Sequence, residues 1–375
     1  MSEISLEVGS TVAISKDQFD KLLQSLQKMG YLTIGPKILD DALIYSPISA
    51  LADLPQGYIS EQDAGSYRVV NTGHTRYFDI TPGAKTWKEF LFPPRTTLFT
   101  VKKNSNGWVV EKEDYQGKPY ALIGVRACEL AAIHIQDKVF LRKDCSDPIY
   151  QANRQAAFIL SVDCLHPGDT CFCYSMGTGP KNSVGFDINI TELDDVFLVE
   201  IGSEAGRMVI GELQFTPASA FLLQAAKLWL DEACSQMGRE LLNQQNLPSI
   251  LLDSLDHPQW EDVAKRCLSC ASCTQVCPTC FCWDIHEKPD LTSSSSQRVR
   301  VWDSCFNPDY SYISGGNTRP NTMSRYRQWL IHKFASWYHQ FEVIGCVGCG
   351  RCITWCPAGI DITKEIAAIT KETVE

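Results

Sequence analysis

Cys267-Leu-Ser-Cys270-Ala-Ser-Cys273-Thr-Gln-Val-Cys277-Pro278 and, 79 residues further on, Cys346-Val-Gly-Cys349-Gly-Arg-Cys352-Ile-Thr-Trp-Cys356-Pro357 carry one spacing twice, trailing proline included. Three thiolates at that pitch can wrap one [4Fe–4S] cluster on a tight loop. The fourth cysteine, a turn away, reaches the neighbouring cluster, as in two-cluster ferredoxins. The expected sets are Cys267, Cys270, Cys273 with Cys356, and Cys346, Cys349, Cys352 with Cys277. Zinc is the alternative, because paired CxxC motifs also build tetrahedral sites. It fits poorly, since each run supplies a third cysteine at the same pitch. Val347, Gly348 and Gly350 are small enough to let backbone N–H groups approach the sulfurs.

Working outward, 68 residues separate Cys277 from Cys346, so the region reads as an expanded dicluster domain. Within that insert, NTMSRYRQWLIHKFASWYHQF (321–341) places Tyr326, Leu330, Phe334, Trp337 and Phe341 at helical spacing, read as core packing. Arg319, Arg325, Arg327 and Lys333 either offset cluster charge or form a solvated basic face. Strands are hard to find from 259 on, and SSSSQ (293–297) reads as a loop.

Before the cysteine runs the texture differs. SKDQFDKLLQSLQKMG (from residue 15) sets Phe19, Leu22, Leu23 and Leu26 on one helix face, closed by Gly30. Tyr120 to Val125 reads as a buried strand turning directly into a helix from about Cys128 to Phe140. Residues 156–164 and 194–202 are further apolar strands, and 218–242 are helical in pattern. NQQNLPS (243–249) ends in a breaker. The expected fold is an α/β N-terminal domain, residues 1–245, followed by a mainly α-helical dicluster ferredoxin-like domain, residues 250–375.

Composition narrows the function. The 375 residues are 44% hydrophobic and 21% charged, as in a globular protein. A formal charge of -10 argues against nucleic acid. The start, MSEISLEVGSTVAISKDQF, has no basic stretch leading into an apolar core, and no segment offers about 18 uninterrupted apolar residues. A cytoplasmic or partner-tethered protein without a transmembrane segment is expected. Seventeen cysteines in such a chain point to metal or redox chemistry rather than disulfides.

No GxGxxG follows a strand, and neither a P-loop nor GxSxG occurs. Gly177 and Gly179 follow a cysteine-rich loop, which makes them weak signals for a nucleotide. Any NAD(P) or flavin is therefore expected on a partner, with this chain as an electron carrier inside a complex.

Four further thiols, Cys128, Cys164, Cys171 and Cys173, suggest a third [4Fe–4S] cluster. Cys128 falls at a helix N-terminus, where the dipole favours a thiolate. Cys164 ends a strand along the edge where α/β sheets bind ligands, and Pro167 and Gly168 can turn Cys171 and Cys173 back towards it. The alternative is that they are small buried core residues.

The stretches GVRACELAAIHIQDKVFL, DCLHPGDTCFCYSMGTGP, CLSCASCTQVCPTCFC, VWDSC and GCVGCGRCITWCPAGIDI, in this order between about residues 85 and 365, resemble one family. It comprises the iron–sulfur beta subunits of cytoplasmic NAD(P)-linked [NiFe] hydrogenases (sulfhydrogenases) and the corresponding iron–sulfur subunit of anaerobic sulfite reductase. The strand-to-cysteine turn is also distantly similar to beta subunits of deazaflavin-reducing hydrogenases. The resemblance implies electron relay between a flavin subunit that exchanges hydride with NAD(P)H and a catalytic subunit. That catalytic subunit is a [NiFe] hydrogenase in the favoured reading and a sirohaem sulfite reductase in the alternative. A reading from another class makes the chain a stand-alone reductase using Cys280, Cys282 and Cys305, which otherwise are packing thiols.

Overall fold

The computed structural model describes residues 6–113, 115–241, 245–291 and 294–371. Phe19, Leu22, Leu23 and Leu26 are all fully buried on the helix Phe19–Lys28, so the spacing read from the sequence does decide its inner face. That helix packs with Glu204–Gly211 against one face of an eight-stranded mixed sheet. The sheet runs, edge to edge, Thr216–Pro217, Thr11–Ser15, Val196–Ile201, Ile188–Glu192, Phe158–Val162, Tyr120–Arg126, Leu32–Leu39 and Ala42–Pro47. Its middle is parallel: Phe158–Val162 pairs that way with both Ile188–Glu192 and Tyr120–Arg126, and Leu32–Leu39 joins Tyr120–Arg126 likewise. Phe158–Val162 and Tyr120–Arg126 are buried on both faces, which explains their nearly continuous apolar sequence. The second face is covered by Ala127–Phe140 and Pro148–Ala156 with Trp87 and Phe92.

A separate core lies around the cysteine runs, built from Leu247, Trp260, Tyr326, Leu330, Phe334 and Ile366, with Phe172 reaching in from the first half. Tyr326, Leu330, Phe334 and Trp337 are buried as the core reading of the aromatics expects, and Phe341 is half-buried. Their helix is Thr322–Ile331, then a π-helical turn His332–Ser336, then Trp337–Phe341.

The region after 259 is not free of strands, contrary to expectation. Trp283–Pro289 and Ser295–Trp302 form a hairpin, and the second strand pairs with Arg95–Asn104, which pairs with Gly107–Lys112. Ser295 to Gln297 are therefore strand and not loop, while Ser293 lies outside the described residues, as do Asn243 and Gln244 of the breaker stretch. The serines sit on a partly exposed ladder, where polar side chains are compatible with pairing once a partner strand is supplied. Leu247–Asp253 is helical, with Pro248 in its first turn.

Further links tie the two halves together. Arg300 of the hairpin pairs with Asp147, the residue that caps Pro148–Ala156. Thr170 donates to Gln62 Oε1 at 2.9 Å, and its hydroxyl lies 2.7 Å from that of Thr354. No helix among the described residues is long and apolar enough to cross a membrane.

Candidate metal centre

The two cysteine runs fold alike. Ser269 and Ala271 in the first, and Gly348 and Gly350 in the second, all adopt positive φ between 51° and 71°. This backbone curls each loop so that the N–H two residues on donates to the leading sulfur, Ser269 N to Cys267 Sγ and Gly348 N to Cys346 Sγ, each at 3.4 Å. A concave backbone of that kind presents donors to an anion. The expectation that small residues of the second run bring N–H groups to sulfur is met at Gly348.

Cys267, Cys270, Cys273 and Cys356 line one cavity, walled by Phe306, Tyr326 and Trp329. The fourth cysteine of the second run thus faces the first three of the first run. Cys346, Cys349, Cys352 and Cys277 are mutual electrostatic neighbours: burial and then Cys346, Cys349 and Cys277 push the Cys352 thiol well up. Cys346 rises to about 12, chiefly from burial. Cys352 also reaches the wall of the first cavity, so the two groups adjoin. Burial raises the ionisation cost of these thiols, and an iron–sulfur group held there would supply the opposing charge that favours their thiolate form.

A second cavity gathers Cys128, Cys164, Cys171 and Cys173, with Cys349 and Arg351 on its wall. Cys128 lies in the first turn of Ala127–Phe140, Cys164 follows the strand Phe158–Val162, and Cys171 N closes the Pro167–Gly168 turn onto Gly168 O at 2.9 Å. The Cys128 thiol is not lowered as its place at a helix N-terminus leads one to expect: burial raises it well above its ordinary value, aided by Cys349, and outweighs the lowering by Arg351. Arg126, fully buried on the same wall, donates to the carbonyls of Asp163, Phe78 and Ile80.

Cys280, Cys282 and Cys305 sit between the cysteine runs and the base of the hairpin. Cys280 is hydrogen-bonded to Cys277, whose thiol is held well below its ordinary value by that bond and by Lys333. Cys305 is pushed up to about 12 by burial and then by Cys282. Of the basic residues in the insert, Lys333 does not lie on a solvated face: it is buried, with Nζ 3.2 Å from Cys277 Sγ. Arg325 is also buried, whereas Arg327 is half-buried and donates to Leu255 O.

The residues fit an iron–sulfur group. Tyr326 Oη and Trp329 Nε1 are buried without a partner on residues that wall the first cavity, and Arg351 Nη1 is likewise on the wall of the second. Among the described residues no three His, Cys, Asp or Glu side chains gather tightly enough for a single ion. A zinc site would need four sulfurs about 2.3 Å from one centre, and no such grouping occurs among the described residues.

Sequence reasoning missed Lys88, Glu129 and Arg351. Lys88 Nζ bonds the carbonyls of Cys277 and Cys280 at 3.0 and 3.2 Å, and Arg351 pairs with Glu129 at 2.8 Å in full burial. Arg351 sits inside the second cysteine run, a positional signal that was available. Lys88 and Glu129 carried none, since their partners lie far along the chain.

Both cysteine runs lie within residues 266–360, which match the family model described as "4Fe-4S dicluster domain". The chain is 33% identical over 311 residues to Sulfhydrogenase 2 subunit beta of Pyrococcus furiosus, a match covering 82% of this chain and 90% of that relative. It belongs to this family of iron–sulfur hydrogenase beta subunits. No solved structure matches it.

Proposed function

We propose that the chain is the electron-relay subunit of a cytoplasmic NAD(P)-linked [NiFe] hydrogenase. In this reading Cys267, Cys270, Cys273 and Cys356 hold one [4Fe–4S] cluster and Cys346, Cys349, Cys352 and Cys277 another. Flavin and NAD(P) belong to one partner, and the nickel centre belongs to a second. When bound, the clusters supply one-electron transfer. The chain's own residues ligate them, screen them from water with Phe306, Tyr326 and Trp329, and set their charge environment. The observation that carries the reading is the convergence of Cys356 with the first three cysteines on one cavity. The sulfhydrogenase relative favours hydrogenase over the sulfite reductase alternative.

Cys128, Cys164, Cys171 and Cys173 are proposed to hold a third cluster, supported by the one cavity that all four line. Two clusters bind roughly eight irons per chain and three roughly twelve. Iron measured on the chain reconstituted without oxygen is expected near twelve, falling to near eight when Cys128 and Cys164 are both replaced by serine. A wild-type count of eight that the double substitution leaves unchanged ends the third site, and zinc without iron ends the whole reading. Isolation of the native complex tests the partners: a nickel-containing subunit is expected, and a sirohaem subunit would overturn the hydrogenase assignment.

A further inference from the structure

The buried cations of the dicluster region are distributed unequally. Lys333 projects from the π-helical turn His332–Ser336, a distortion that frequently marks functional positions. Its Nζ donates to Cys277 Sγ at 3.2 Å, Thr279 Oγ1 at 3.0 Å and Gly345 O at 2.9 Å. Its own carbonyl accepts from Gly345 N at 2.8 Å, which pins it to the start of the second cysteine run. Lys88 approaches the same Cys277–Cys280 turn from the opposite half of the chain, bonded to two of its carbonyls and lying 3.8 Å over the Trp302 ring.

Both ammonium groups are buried, 4% and 3% exposed, and among the described residues no ion pair joins either to a carboxylate. A buried charge without a partner is strongly unfavourable. The anionic neighbour that both share is the turn carrying Cys277. A four-thiolate iron–sulfur cluster is negative in either redox state, so it supplies the missing counter-charge. The cavity of Cys267, Cys270, Cys273 and Cys356 differs: no lysine or arginine lines it, and its polar wall is the neutral Ser272, Tyr326 and Trp329. Net charge and hydrogen bonds to sulfur are among the factors that set a cluster's potential.

We infer that Lys333 and Lys88 are positioning residues that make the centre at Cys346, Cys349, Cys352 and Cys277 easier to reduce than the one at Cys267, Cys270, Cys273 and Cys356. An added electron settles beside the two ammonium groups, so charge collects at the centre whose cysteine run also walls the Cys128–Cys173 cavity. The inference rests on the two-cluster reading above.

The test is a redox titration of the reconstituted full-length chain followed by electron paramagnetic resonance, with Cys349→Ser identifying the signal of the Cys346 centre. In the wild type that centre is expected to reduce first. Lys333→Met should lower its reduced-to-oxidised ratio at a fixed potential at least tenfold, which is 59 mV for a one-electron couple, and leave the other centre unmoved. Lys333→Arg should restore most of the ratio, and Lys88→Met should shift it in the same direction by less. If Lys333→Met loses iron, Lys88→Met decides alone, because Lys88 touches carbonyls and no sulfur. The inference is overturned if the Cys267 centre reduces first, if the methionine variants leave the ratio unchanged, or if Lys333→Arg shifts it as far as Lys333→Met. A wild-type iron content below eight would instead sink the two-cluster reading.

Discussion

At Gly348 the second cysteine loop meets the backbone of the first half. Its φ is +64°, and a Cβ there would lie 2.6 Å from the carbonyl of Phe172 and 2.7 Å from Cys173 Cα, while Gly348 O accepts from Phe172 N at 2.8 Å. Neither neighbour can move aside as a flexible side chain would. Gly348→Ala is therefore expected to destabilise by about 2–5 kcal/mol, combining overpacking of roughly 1–3 with a left-handed penalty of roughly 1–2. It should also reduce iron binding at the Cys171–Cys173 side. Ala271 occupies the matching position to Gly350 with φ +64° and already bears the left-handed penalty. Ala271→Gly should therefore stay within about 1 kcal/mol of wild type, since relief of strain opposes the added chain entropy. Iron content and urea midpoint on the paired variants check this; equal behaviour of the two would refute it.

At the scale of elements, the first turn of Ala127–Phe140 is fastened to Arg351–Thr354 by the Glu129–Arg351 pair, 1% and 3% exposed. Tyr45, stacked on Trp87, donates to the other Glu129 oxygen at 3.2 Å. Removing one member leaves a buried uncompensated charge, so Glu129→Gln is expected to destabilise by about 3–5 kcal/mol. Glu129→Leu combined with Arg351→Met, which removes both charges, should recover much of that loss. The urea midpoints of single and double variants decide it, and simple additivity would disprove coupling between the two helices.

The helix and strand of this element were legible because a continuous apolar run ends abruptly at an N-terminal turn. Its fastening was not, because Glu129 and Arg351 are 222 positions apart. The hairpin Trp283–Trp302 was illegible for a related reason. Its outer strand is largely exposed, so it shows no inward face, and the strand that pairs with its inner one lies nearly two hundred residues upstream. The eight cysteines, in contrast, announced themselves through local spacing, and the interleaving proposed for them rests on a repeat that needs no tertiary information.

Across the whole molecule, one large core is built from residues 12–213 and another mainly from 241–369, on either side of the division proposed near 245–250, while a smaller cluster of Ala132, Ile135, Trp337 and Val347 spans it. The contacts around the metal centre cross that division. The ladder from Ser295↔Lys102 to Val301↔Arg95 gives the hairpin its second partner. Lys88 supports the Cys277–Cys280 carbonyls, Glu129 neutralises Arg351, and Phe172 fills a gap in the second core. A fragment of residues 250–375 retains all eight cysteines of the two runs yet loses every one of these supports. A two-stranded hairpin alone is marginal in water, and the freed Arg351 would be left buried without its carboxylate. The fragment is therefore expected to bind well below eight irons after reconstitution and to unfold at lower urea than the full chain. Co-expression with residues 1–249 should restore both properties. A fragment that alone holds eight irons and unfolds at the full chain's midpoint would show instead that the dicluster region is self-sufficient and that the sheet across the division is only a docking contact.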